Sequence, residues 1–152
     1  RNAVKAWAAG VLVGAVVLGA GSGAQPVPDA VARHGACAAQ AESSQTCVEI
    51  LNAHCLEVAR NARDLTGCRS AVTDALEVRA DALVDQLDAQ GARPMAIALT
   101  DGAARAVSEF CAALAGRMAT PGAPQDIRCA LMRAHVLVYH LTRALDDLDR
   151  ET

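Results

Sequence analysis

The sequence predicts an all-α protein in two parts: an N-terminal single transmembrane signal-anchor helix, then a small disulfide-stapled bundle of four to five helices. Three observations carry that expectation. From Pro28 onward apolar residues recur at steps of three and four, and apolar–polar alternation never lasts long enough for a strand. Before Pro28, the stretch Ala6 to Val27 contains no charged residue. Six cysteines fall in pairs about the expected interhelical turns. The 152 residues give room for one domain and one anchor, with residues 1–27 as anchor and linker and 28–152 as the bundle.

The leader sets the expected compartment. Ala6 to Gln25 would span about 30 Å as a helix, enough to cross the hydrocarbon of a bilayer. Ala6, Gly10 and Gly14 stand four residues apart and stack on one helix face, which lets a second membrane helix approach closely. The expectation is a retained anchor packed against integral membrane subunits. Arg1 and Lys5 would stay in the cytoplasm and the bundle would lie in the periplasm of a bacterial inner membrane. Lys5 is the only lysine, and the Ala/Arg/Gly bias is that of a GC-rich bacterial genome. The alternative is a cleaved signal peptide, with Val11 to Leu18 as its apolar region and Ser22-Gly23-Ala24 as its small-residue end.

Behind the leader, Gln25-Pro26-Val27-Pro28 reads as a stiff linker, because each proline disfavours helix in the residue before it. Pro28 suits a helical first turn, so a first helix is expected from Asp29 to about Gln40. Ser44 is the expected cap of a second, about Gln45 to Ala62, with Cys47, Val48, Leu51, Cys55, Val58 and Ala62 on one stripe. Asp64 is the expected cap of a third, about Leu65 to Gln90, whose inner face carries Leu65, Cys68, Val72, Leu76, Ala80, Leu83 and Leu87. Gly91 closes it and Pro94 blocks its resumption. Met95 to Leu99 reads as a short apolar connector or a single helical turn. A fourth helix follows from Thr100 or Asp101, with Ala103, Val107, Phe110, Cys111, Leu114 and Met118 inward.

Thr120-Pro121-Gly122-Ala123-Pro124 is the clearest turn. The last helix, about Gln125 to Asp149, is the most regular. Ile127, Leu131, Ala134, Val138, Leu141, Leu145 and Leu148 step alternately by four and three, a heptad seam that marks the central stave of the bundle.

Facing residues of an antiparallel hairpin are equidistant from its turn, and this selects a disulfide pattern. Cys37 with Cys47, Cys55 with Cys68, and Cys111 with Cys129 each straddle an expected break. The spacing contains no CxxC and no Cys/His quartet of the kind that holds zinc, so the cysteines are expected to be structural and no metal or cofactor is expected. The histidines, His34, His54, His135 and His140, read as isolated flank or surface residues. No GxSxG element and no phosphate-cradling glycine run is present, so no catalytic residue is assigned and no enzyme is expected.

Without Arg1 and Lys5 the chain carries 12 basic and 17 acidic residues, a net charge of −5, which argues against nucleic-acid binding. The expected role is a non-catalytic accessory, assembly or stabilising subunit of a membrane complex. A leader-cleaved periplasmic binding protein is the first alternative, its small-molecule ligand unspecified. A thiol- or copper-handling protein with reduced cysteines is the second.

Overall fold

The computed structural model describes residues 26–116 and 124–152, which form six helices and no strand. They are α1 (Val27–Ala39), α2 (Ser44–Val58), α3 (Ala62–Ala89), α4 (Arg93–Ala106), α5 (Ser108–Gly116) and α6 (Pro124–Glu151). Among the described residues no helix is long and apolar enough to cross a membrane. The expected anchor, including Ala6, Gly10 and Gly14, lies outside the described residues.

Helix α6 is the stave around which the others assemble. It packs against all five other helices, most extensively against α3. Leu131, Ala134, Val138 and Leu141 of its seam are buried, and Leu145 and Leu148 are partly covered at the same core. The facing stripe of α3 buries Val72, Leu76, Ala80, Leu83 and Leu87, while Leu65 and Cys68 at its start are only partly buried. Leu51 and Cys55 of α2, Ala30 of α1 and Ala96 of α4 complete this core. It contains no aromatic ring, so its cohesion comes from many small contacts between aliphatic side chains.

Three disulfides close the hairpins in the expected pairs. Cys37–Cys47 joins α1 to α2 with its Cα atoms 5.6 Å apart. Cys55–Cys68 joins α2 to α3 at 5.5 Å, and Cys111–Cys129 joins α5 to α6 at 5.2 Å. All six cysteines are paired. Each loop is short, and in the chain-entropy picture each link contributes about 3 kcal/mol by restricting the unfolded chain.

Several boundaries differ from the sequence expectation, and hydrogen bonding explains each. Ser43, not Ser44, caps α2, its hydroxyl accepting from the Thr46 amide at 3.1 Å. Asn61, not Asp64, caps α3, its side-chain oxygen accepting from the Asp64 amide at 2.9 Å. Asp64 instead takes up Arg60, whose hydrogen bonds hold the carboxyl below its ordinary range. Gly91 ends α3 as expected: with φ at 74° it lets the Ala92 amide reach the Leu87 carbonyl at 2.8 Å.

Pro94 begins a helix rather than delaying one. A proline in the first turn has no intrahelical partner to lose, so Met95 to Leu99 belongs to α4 and is not a connector. The expected fourth helix is also divided at Val107, where the chain turns and the Ser108 hydroxyl donates to the Arg105 carbonyl at 2.7 Å. Ala103 and Val107 point inward, but Phe110 is 41% exposed because α5 starts anew on a different face.

Arg143 ties α6 to α1. It does pair with Asp146 and Asp147 along α6, yet its guanidinium is mostly covered and donates to the Ala38 and Ala39 carbonyls at 3.4 Å each. A cation from α6 thus caps the C-terminal end of α1, where unpaired carbonyls and the helix dipole favour it.

Candidate functional site

Two features stand apart from ordinary packing. The first is a buried chain of polar groups where α1, α2 and α6 meet. His34 of α1 and His135 of α6 are both almost fully buried, and His34 Nε2 lies 2.7 Å from His135 Nδ1. On the other side of the ring, His135 Nε2 lies 3.0 Å from the Ser44 hydroxyl. Ser44 makes this contact while its neighbour Ser43 caps α2. The Tyr139 hydroxyl, one turn along α6, donates to the Glu42 carbonyl at 2.7 Å and ties the same turn down.

One of the two facing nitrogens must hold the proton and the other the lone pair, so the bond requires at least one neutral imidazole. In either tautomer the second nitrogen of His34 is buried without a partner. Burial pushes His34 down to about 4. Burial pushes His135 down to about 3, with the His34 and His140 charges adding to the effect. Both rings are therefore neutral at physiological pH.

The order hydroxyl, imidazole, orienting group is also that of a nucleophilic triad. Here the electrostatics run the other way. A triad carboxylate stabilises the imidazolium that forms when the base takes a proton, whereas a second neutral imidazole in an apolar setting does not. A base near 3 lies about four units below neutral pH, a penalty of about 5 kcal/mol on holding the serine proton. What the arrangement does well is lock three helices in one register.

The sequence reading missed this cluster by treating the histidines as flank residues. His34, His54 and His135 are buried, and only His140 is exposed. The signal was present in α1, where Ala30, His34, Cys37 and Ala38 share one buried stripe at helical spacing. His135 is buried because α6 meets α1 and α2 on a flank beside the seam that faces α3.

The second feature is a cleft of about 320 Å³ between α2, α3, α5 and α6. Val48 and Leu131 are buried at its floor, and Leu56, Phe110 and Met132 also line it. Arg69 and Arg128 line it as well, and among the described residues neither forms an ion pair. The Arg69 Nε is buried without a hydrogen-bond partner. Burial lowers the Arg69 guanidinium from its ordinary value, and the Arg128 charge lowers it further. Leaving such a donor unsatisfied costs about 1–3 kcal/mol, and more for a charged group.

Among the described residues no three His, Cys, Asp or Glu side chains gather where they could hold a metal ion. Of the residues singled out by sequence, the six cysteines pair as expected and line no common site. No family model matches the chain, and no curated protein or solved structure matches it significantly. The class is thus defined by the fold itself, a disulfide-stapled all-α bundle built on one central helix.

Proposed function

We propose that this chain is a non-catalytic accessory subunit whose bundle works outside the cytoplasm and stabilises or helps to assemble a larger membrane complex. The observation that carries this reading is the set of three disulfides, each tying two helices that are consecutive in the chain. Such links persist in oxidising compartments such as the bacterial periplasm. The charge-free leader, with two basic residues before it, is the matching address and tether. Val78 of α3 and Met95 and Ile97 of α4 present large apolar side chains to solvent, which supports docking by the bundle as well.

The leader face of Ala6, Gly10 and Gly14 is the proposed contact with integral membrane subunits. Replacing both Gly10 and Gly14 by leucine should release the protein from its complex in mild detergent while leaving it in the membrane fraction. Unchanged co-purification of the double variant would remove the leader from the interface.

The cleft favours a second reading, a leader-cleaved periplasmic binding protein. Intact mass separates the two: material that keeps Arg1 supports the subunit, and material that starts at Gln25 supports the binding protein.

A further inference from the structure

Four residues that line the cleft are each the immediate sequence neighbour of a disulfide cysteine. Leu56 follows Cys55 and Arg69 follows Cys68, while Phe110 precedes Cys111 and Arg128 precedes Cys129. Two crosslinks therefore fix, on four different helices, the backbone that carries two cations and two apolar rim residues. Pre-positioning of this kind removes ordering cost from a binding event.

We propose that this cleft binds a small amphiphilic oxyanion, a carboxylate or phosphate head between Arg69 and Arg128 with an apolar tail against Val48, Leu131 and Phe110. Charge and shape each argue for one half of that ligand. Two guanidiniums within electrostatic reach of each other repel, and an anion between them removes the repulsion and gives the buried Arg69 Nε–H its missing acceptor. Guanidinium forks match the oxygen spacing of carboxylates and phosphates. Glu49 shares the mouth, with its carboxylate engaged by the Gln45 amide at 2.8 Å, and Asn52 adds a neutral polar group. Two cations against one anion leave the cleft net positive in a bundle that is net negative, so the attraction is local.

The floor is aliphatic, and a purely hydrophilic anion would leave it wet. The volume stands at the lower end of the about 300–1,000 Å³ usual for ligand pockets, which suits a short-chain or single-ring compound and excludes a folded macromolecule. The proposal holds for a retained or a cleaved leader, because every residue it uses lies in the bundle.

The test is a titration of the full chain, disulfides intact and in non-ionic detergent, with octanoate, octyl phosphate, octanol and inorganic phosphate. Binding is followed by nitrogen–proton NMR at the arginine Nε–H signals. The expected result is a saturable shift of the Arg69 signal with octanoate or octyl phosphate, at an affinity at least about tenfold above octanol and above inorganic phosphate. Arg69→Gln and Arg128→Gln should each weaken that binding by about tenfold or more. Leu56→Glu, on the exposed rim, should do the same without touching the core, which keeps the test decisive if an arginine variant fails to fold. Octanol binding as tightly as octanoate would overturn the charged half of the site, and inorganic phosphate binding as tightly as octyl phosphate would overturn the apolar half. No saturable shift with either amphiphile, or unchanged affinity in the substituted proteins, would overturn the whole.

Discussion

Leu141→Ala should destabilise the oxidised chain by about 2–5 kcal/mol and lower its melting temperature by several degrees at least. Leu141 is completely buried on α6, in the core cluster that includes Val138 of its own helix and Leu76 and Leu83 of α3. Its neighbours there are aliphatic, so the deleted isobutyl group removes apolar contacts and leaves a cavity. The sum is a large part of the about 5–15 kcal/mol that holds a domain of this size together. Arg143→Ala is the informative comparison. It removes the cap on α1 and the pairs with Asp146 and Asp147, interactions that are long or partly solvated, and should cost about 1 kcal/mol. Equal loss in the two variants, measured by urea unfolding without reductant, would mean that the heptad seam is not the principal core.

Acidification should weaken the fold before the carboxylates titrate. In the unfolded chain a histidine takes up its proton near 6.5, whereas in the fold His34 does so only near 4 and His135 near 3. Between those limits the unfolded state binds more protons than the native one, so stability rises with pH there. It is complete above about 6.5 and is lost progressively as pH falls towards 4. Each histidine can contribute up to about 1.4 kcal/mol per pH unit, so the pair can remove about 5 kcal/mol by pH 4.5. His34→Gln, which keeps a polar group within reach of His135, should halve the slope of unfolding free energy against pH in this window. Asp64 acts in the same direction but at lower pH, since its carboxyl is held below the ordinary carboxylate range. If His34→Gln left the slope unchanged between pH 6.5 and 4.5, the buried pair would not be the source of acid sensitivity.

The elements most legible in the sequence are those whose patterns depend on local geometry. The seam of α6, the inner stripe of α3 and the glycine stop at Gly91 follow from helical period and backbone freedom alone, and all three are present. The disulfide pattern was legible for a related reason: a crosslink across a hairpin must be symmetric about its turn. Features that depend on which helix lies beside which were not legible. Ser44 spends its hydroxyl on His135, 91 residues away, a contact that no local pattern announces. The burial of His34 depends on α1 lying against the flank of α6, and nothing in α1 alone names that neighbour. The arginine-lined cleft gathers residues from four helices, so no short motif announces it. Phe110 was placed inward by extending one helical period through Val107, where the chain in fact breaks and restarts.

The central claim is a bundle closed by turn-spanning disulfides in an oxidising compartment, and peptide mapping without reductant on protein isolated from its native membrane or secreted fraction tests it most directly. The account predicts linked peptides containing Cys37 with Cys47, Cys55 with Cys68, and Cys111 with Cys129, with no alkylatable thiol. Recovery of six free thiols, or of a Cys47 with Cys68 or Cys55 with Cys111 peptide, would contradict it.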